Sequence, residues 1–196
     1  MSTWKSRGLR GSTLEEMVNR TIEQYREQEL ALIQKIPTPI TPINMDKTSG
    51  HITLAYFEQK STVDYIGAVQ GIPVCFDAKE CHTDRFPLAN VHPHQYQFMK
   101  DYEKQGGIAF LLIFFSARDL FYYLSFDRLT EFWNRREQGG RKSFLFDELD
   151  PVFYIPQHAG VMIPFLDTLQ EDLTRRDEMK ASCDIPDDLQ KSPQNS

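Results

Sequence analysis

Apolar residues recur with two different periods along this chain, which predicts a mixture of helices and strands. Between residues 13 and 29 they recur every three or four positions, as in an amphipathic helix. Ser12 and Glu15 have the spacing of a capping box at its start. Helical spacing also predicts three later helices, at residues 92–104, 126–137 and 163–176.

Short apolar runs predict the strands. Residues 108–115 are apolar on both faces, which is typical of a buried central strand. Two further apolar runs flank a tight turn at Gln70 and Gly71, and this hairpin is the centre of the prediction. Other strands are predicted at residues 31–36, 120–124 and 152–155, and residues 81–90 are predicted to be a loop.

Three prolines between residues 37 and 42 exclude a helix and a central strand there. Turn-forming residues follow at 44–50, and residues 52–57 have the composition of a returning strand. We therefore predict a projecting arm at residues 39–57. The succession of elements predicts one mixed α/β domain with a central sheet, residues 1–178, and a disordered tail at 179–196.

The composition is that of an ordinary globular chain, with 40% hydrophobic and 26% charged residues. No apolar run reaches the roughly 20 residues of a membrane helix, and the first residues lack a signal-peptide core, so we expect a cytoplasmic protein without a membrane partner. The three cysteines lack metal-binding spacing and are expected to be reduced thiols. The net charge is −6, of which −4 lies in residues 166–196.

Candidate chemistry is concentrated at the central hairpin. Asp64 begins its first strand, whereas Asp77 and Lys79 lie two residues apart on one face of the second. Carboxylates bind hard divalent cations, and a nearby ammonium group can stabilise the charge that develops during phosphodiester hydrolysis. The alternative is that this is an ordinary solvent-facing strand end. Thr62 lies on the same face as Asp64 and offers further oxygen atoms.

Other clusters have less specific patterns. Lys5, Arg7 and Arg10 form one basic group, and residues 135–142 hold another, each of which is either a nucleic-acid contact or a solvated surface. His92 and His94 lack a third ligand, which argues against zinc.

A series of motifs, in order along residues 7–175, resembles the RecU family of Holliday junction resolvases. The matching segments are Arg7-Gly8, Leu14-Glu15, Lys35-Ile-Pro-Thr-Pro-Ile40, Ala55-Tyr-Phe57, Ser61-Thr-Val-Asp-Tyr65, Phe76-Asp-Ala-Lys-Glu80, Phe86-Pro-Leu88, His92-Pro-His-Gln95 and Gly106-Gly-Ile-Ala-Phe110. The resemblance implies a restriction-endonuclease-like fold, with a mixed central sheet flanked by helices and the arm as a stalk that enters the junction. It also implies a homodimer that cuts four-way junction DNA in recombination and DNA repair, with a RecA-type recombinase as a further partner.

The resemblance also implies roles for individual residues. Mg²⁺, with Mn²⁺ as a substitute, would be held by Thr62, Asp64, Asp77 and Gln95, and Lys79 would stabilise the transition state. Glu15 matches an acidic residue of the family that is either an accessory to the metal site or a helix cap. The expected DNA contacts are Arg7, Arg10, Lys47 and His92.

This chain departs from the family pattern at three places. Asp77 stands where the family usually has Glu, the arm is shorter and carries only Lys47 as a full positive charge, and the loop after Lys79 contains Glu80 and Asp84. Fewer phosphate contacts from the arm would weaken DNA binding and reduce its salt dependence. Two alternatives therefore stay open: a nuclease for flaps or duplexes, and a non-catalytic module that binds branched DNA or a recombinase.

Overall fold

A sheet of six strands is the centre of the computed structural model, which describes residues 12–37, 40–57, 62–157 and 160–183. In chain order the α-helices and strands are α1 (Ser12–Glu27), β1 (Ala31–Lys35), β2 (Ile40–Met45), β3 (Ile52–Phe57), β4 (Tyr65–Val69), β5 (Ile72–Cys81), β6 (Arg85–Pro87), α2 (Pro93–Lys104), β7 (Ile108–Phe115), β8 (Leu120–Ser125), α3 (Phe126–Glu137), β9 (Ser143–Leu145), β10 (Tyr154–Ile155) and α4 (Phe165–Cys183).

The central sheet has the strand order β1-β4-β5-β7-β8-β10. Its β5 and β7 are parallel, with α2 as the connection between them, and the other neighbours are antiparallel. The buried run 108–115 is the fourth strand of this order, since it pairs on both sides with β5 and β8. This mixed sheet confirms the predicted α/β class.

Helices cover both faces of the sheet. On one face Phe76 of β5 and Phe110 of β7 stack at 4.7 Å, and Phe165 of α4 packs against both. Tyr25 of α1 meets Phe165 at 5.3 Å, so α1 and α4 share this face. The opposite face receives α2 and α3, which pack together through Tyr96 and Trp133 with ring centroids 4.2 Å apart.

The predicted arm is confirmed as a separate two-stranded sheet. β2 pairs antiparallel with β3, and the register shifts between Pro42 and Asn44 and again at Met45. Proline is tolerated here because both strands of a two-stranded sheet are edges. At the tip, the carboxylate of Asp46 accepts hydrogen bonds from the amide of Thr48 and the hydroxyl of Ser49.

Three predictions of secondary structure were wrong in part. The predicted loop at 81–90 contains β6, which pairs with β9 in a small sheet. The predicted strand at 152–155 begins as a 3-10 turn, and only Tyr154–Ile155 pairs. The last helix ends at Cys183 rather than near residue 176, so residues 179–183 of the predicted tail are helical. The rest of that tail, 184–196, lies outside the described residues.

Cys75 and Cys81 are free thiols in the buried core. Burial raises the pKa of the Cys75 thiol, which makes it an unreactive packing residue. Across the part of the chain that the structure describes, no helix is long and apolar enough to span a membrane.

Candidate active site

The register of β4 and β5 brings Asp64 and Asp77 together. Tyr65 pairs with Phe76, so the preceding Asp64 lies beside Asp77. The backbone amide of Asp64 donates a 2.6 Å hydrogen bond to Oδ1 of Asp77, and Oδ2 of Asp64 lies 3.4 Å from the amide nitrogen of Ala78. A bond from the amide of Ile36 to the carbonyl of Asp64 fixes this residue from the β1 side. The two carboxylates are thus positioned by backbone contacts on both sides.

Asp77 is an ionisable residue with no exposed surface. The pKa of its carboxyl group is raised to about 6, mainly by burial and also by the charge of Asp64, against the lowering effect of Lys79. Its Oδ2 atom has no hydrogen-bond donor. An unsatisfied carboxylate oxygen in a buried position is costly, and such positions are common at functional sites.

Lys79 lies on the same face of β5 as Asp77, as alternation predicts. Its Nζ is 3.2 Å from Oδ2 of Asp77, an ion-pair distance, although the angles do not make it a hydrogen bond. The Lys79 side chain is 18% exposed, so its ammonium group lies between the buried carboxylate and solvent. It can therefore contact an anionic group that approaches Asp77 from outside.

The donor set fits a hard divalent cation. Two carboxylates lie side by side, one of them with a buried oxygen that accepts no hydrogen bond, and oxygen is the ligand atom that Mg²⁺ prefers. Within the described ranges no three His, Cys, Asp or Glu side chains cluster as a metal site would require. A closed structural zinc site is therefore not formed here, whereas Mg²⁺ commonly uses one or two carboxylates and keeps several waters.

Thr62 and Gln95 are the neutral members of the predicted ligand set. Thr62 is half-buried and precedes Asp64 by two residues. Gln95 is buried in the first turn of α2, where its Oε1 accepts a 3.0 Å hydrogen bond from the amide of His92. This contact completes the start of the helix. A carbonyl oxygen has a second lone pair, so the capping contact leaves an acceptor site on Gln95.

Glu15 does not join the carboxylate pair. Its side chain forms an ion pair with Lys35 at the end of β1. Lys35 pairs with Tyr65, and Tyr65 pairs with Phe76, so these three side chains share one face of the sheet. Asp77 follows Phe76 in the strand and therefore points to the other face. Glu15 and Lys35 are therefore on the face opposite Asp77. The accessory role of Glu15 stays a prediction without a contact to support it.

The predicted DNA contacts are scattered. Lys47 is exposed in the turn at the tip of the arm. His92 is exposed just before α2, and its ring stacks on that of His94 with centroids 5.4 Å apart. Arg7 and Arg10 lie outside the described residues.

A cleft of about 1330 Å³ lies elsewhere, between α3 and α4. It contains none of the predicted site residues. Its charged walls are occupied by internal ion pairs, such as Arg175 with Asp150 at 2.8 Å and Arg128 with Glu131. The buried oxygen of Asp77, which accepts no hydrogen bond, distinguishes the candidate site from this cleft.

Sequence reasoning from the residues alone does not single out Gln95, which enters the predicted ligand set only through the family resemblance. Gln95 lies in a helix that is separated from Lys79 by other segments of the chain. An amide side chain at the third position of a helix ordinarily serves as a cap. The signal that distinguishes it is structural: the side chain is 6% exposed although glutamine is usually a surface residue.

Comparison with known proteins adds the family. The model of the family described as Recombination protein U matches residues 9–171. The Holliday junction resolvase RecU of Bacillus subtilis is 42% identical over 149 residues, 74% of this chain and 71% of that protein. The Holliday junction resolvase RecU of Listeria welshimeri is 38% identical over 169 residues, 84% of each chain.

A solved structure of Hjc, a Holliday junction resolvase of Archaeoglobus fulgidus, is similar to this chain with a TM-score of 0.37 and 8% sequence identity. That similarity covers 60% of this chain and 74% of the Hjc chain. The family match and the two bacterial relatives span most of the chain, including the β4–β5 hairpin. The chain therefore belongs to the RecU family.

Proposed function

We propose that this protein is a homodimeric, Mg²⁺-dependent endonuclease that resolves Holliday junctions. The observation that carries the proposal is the buried Oδ2 of Asp77, which accepts no hydrogen bond, beside Asp64 and Lys79 in a chain of the RecU family. The relatives named above are Holliday junction resolvases. Mn²⁺ is expected to replace Mg²⁺, because both favour oxygen ligands.

Each residue has a distinct task in this proposal. Asp64 and Asp77 hold the cation, with Thr62 and Gln95 supplying neutral oxygen atoms. A bound divalent cation would polarise the scissile phosphate and lower the pKa of the attacking water. Lys79 places its ammonium group toward solvent beside Asp77, where it stabilises negative charge that develops on the phosphate.

The arm supports the proposed homodimer. Six of its large apolar side chains are about half exposed: Ile40, Ile43, Met45, Ile52, Leu54 and Tyr56. A two-stranded hairpin is only marginally stable by itself, and an apolar surface of this kind favours association. Pairing of two copies would also provide the two active sites that a symmetric junction requires.

The arm would then present Lys47 to the junction. Lys47 has no carboxylate within ion-pair distance among the residues that the structure covers, so its charge is available to a phosphate. A single lysine at the tip makes fewer phosphate contacts with a junction than a basic arm would. For this reason the competing hypothesis is a nuclease that cleaves flaps or linear duplex. Contact with a RecA-type recombinase and a cytoplasmic location stay predictions.

The deciding experiment compares cleavage of three labelled substrates by the purified protein in Mg²⁺: a four-way junction, a flap and a linear duplex. We expect paired nicks that convert the junction into nicked duplexes, and no cleavage in EDTA. Faster cleavage of the flap or the duplex would replace junction specificity with the competing one. Junction binding without cleavage in either Mg²⁺ or Mn²⁺ would favour the non-catalytic module.

The substitution Asp64→Ala should reduce junction cleavage by at least about 10³-fold, because it removes one of only two charged ligands. Junction binding in EDTA should be unchanged, since the variant keeps the backbone amide that bonds to Asp77. Single-turnover cleavage and fluorescence anisotropy measure the two effects.

The matched control for this variant is Glu80→Gln. Glu80 belongs to the same end of β5, but alternation places it on the opposite face from Asp77 and Lys79. The Glu80→Gln variant should cleave junctions at nearly the wild-type rate. Full activity in Asp64→Ala would reject the assigned site, and equal losses in both variants would indicate a general electrostatic effect.

A further inference from the structure

The basic residues between 135 and 142 are not one surface. Arg135 forms an ion pair with Glu148 and donates a 2.8 Å hydrogen bond to the carbonyl of Ser143. Arg141 also pairs with Glu148, at 3.0 Å. These two arginines are occupied in holding β9 and the following turn against α3. They share the single carboxylate of Glu148, which compensates part of their charge within the chain.

Arg136 and Lys142 are different. Lys142 has no carboxylate within 4.0 Å in the portion of the chain that the structure describes. Arg136 has only the adjacent Glu137, whose Oε1 is 3.6 Å from its Nε. Its guanidinium group lies 4.4 Å over the ring of Trp133, which holds the side chain in place without neutralising it.

These two cations line one open cleft of about 360 Å³. Its remaining walls are small and apolar, from Ala89, Val91 and Pro93. A cleft with two cations and an apolar wall matches a nucleotide backbone, in which an anionic phosphate is joined to a largely apolar sugar ring. Neither wall supplies a carboxylate.

Backbone contacts fix the cleft. The amide of Leu88 donates a 3.0 Å hydrogen bond to the carbonyl of Lys142, which joins the segment before β9 to the turn after β6. Gly140 allows the chain to turn back at the end of α3, since a Cβ atom there would lie 2.8 Å from the carbonyl oxygen of Arg135. These contacts fix the backbone that carries Lys142, and the ring of Trp133 positions the side chain of Arg136.

The cleft is connected through α2 to Gln95, one of the proposed metal ligands. Pro93 lines the cleft and is the first residue of α2, and Gln95 lies in the same turn. α3, which carries Arg136, packs against α2 on the face of the sheet that bears Asp77 and Lys79. A strand bound in the cleft would thus run on the catalytic side of the molecule.

We propose that Arg136 and Lys142 form a binding site for a backbone phosphate of the DNA substrate. The proposal rests on the proposed nuclease function, to which it adds a DNA-contacting surface outside the arm. It explains how a chain with one lysine in its arm can still hold a polyanion. The site recognises phosphate and sugar, so it contributes affinity and position without sequence preference.

The test compares the double variant Arg136→Ala/Lys142→Ala with the wild type. Binding of a labelled four-way junction and of a linear duplex is measured by anisotropy in EDTA, over a range of roughly 50–200 mM salt. We expect about tenfold weaker binding of the double variant. The slope of log K against log salt should also be smaller in magnitude by roughly 1–2. Mg²⁺ binding to the free protein, measured by calorimetry, should be unchanged.

The control is the double variant Arg26→Ala/Lys180→Ala. This variant also removes two positive charges, but from α1 and α4, which cover the opposite face of the sheet. The slope of log K against log salt should therefore keep its wild-type value. Equal slopes in the Arg136/Lys142 variant and the wild type would overturn the proposal, and so would equal losses in both double variants. Cleavage by the wild type tests the nuclease function separately: binding with the expected slopes but without cleavage would reject the function and retain the phosphate site.

Discussion

Replacing Asp77 with Asn should abolish junction cleavage and, in EDTA, make the protein more stable. The first effect follows from the loss of a carboxylate from the proposed metal site, which should lower the rate at least about 10³-fold. The second follows from burial, because the carboxylate of Asp77 is fully buried, its Oδ2 accepts no hydrogen bond, and the ion pair with Lys79 does not offset the cost of burying the charge. Asn keeps the Oδ1 acceptor for the amide of Asp64 and removes the charge.

The pH dependence gives the sign of this stability change. The folded-state pKa of Asp77 is raised from 3.8 to about 6, so between these values the folded protein holds a proton that the unfolded chain has lost. The contribution of Asp77 to stability therefore falls as pH rises through this window and stays unfavourable above it. The Asn variant should gain roughly 1–3 kcal/mol at neutral pH and almost nothing near pH 4.

Urea unfolding of wild type and variant, in EDTA at neutral pH and again near pH 4, measures this difference. Adding Mg²⁺ should stabilise the wild type and leave Asp77→Asn unchanged, because a ligand stabilises only the state that binds it. Glu80→Gln is again the control, with the same chemical change on the other face of β5. A variant that is less stable than wild type at neutral pH in EDTA would contradict the account of Asp77.

The juxtaposition of Asp64, Asp77 and Lys79 could be predicted from the sequence because it depends on local rules. A tight turn sets the register of β4 and β5, and alternation sets the face of each residue. Glu15 and Gln95 follow no such rule. Whether Glu15 meets the carboxylates or Lys35 depends on how α1 lies across the sheet, and the position of Gln95 depends on the packing of α2.

The same limit applies to the fold. The long elements had enough periodic residues to be predicted, including the buried strand β7 and the helix α3. β6 and β9 are three residues each, too short for a period to be recognised. They form because Phe86 stacks on Phe144, and Phe144 on Phe132 of α3, contacts between segments far apart in the chain. Likewise, Arg135 and Arg141 differ from Arg136 and Lys142 because they pair with Glu148, a contact that depends on how the chain folds.

The substitution Arg176→Ala should have the opposite combination of effects to Asp77→Asn. Arg176 of α4 bonds to both carboxylate oxygens of Glu103, at 2.7 and 3.0 Å, and its Nε lies 3.2 Å from Asp172. Glu103 also accepts a bond from the amide of Ala109, and Asp172 from the hydroxyl of Tyr123. Removing the arginine leaves two mostly buried carboxylates without a cation, which should cost about 3–5 kcal/mol.

Urea unfolding should show this loss, and Arg20→Ala is the control. Arg20 pairs with Glu16 at 2.6 Å on the exposed side of α1, where such pairs contribute at most about 1 kcal/mol. A change below about 1 kcal/mol in Arg176→Ala would contradict a stabilising role for the network.

The activity of Arg176→Ala separates stability from catalysis. Glu103 lies near the end of α2 remote from Gln95, and none of the network residues belongs to the carboxylate pair. At temperatures where the variant is folded, it should cleave junctions at close to the wild-type rate. Since Asp77→Asn should gain stability and lose cleavage, the two variants together would show that the buried charge of Asp77 is retained for metal binding at the expense of the metal-free fold.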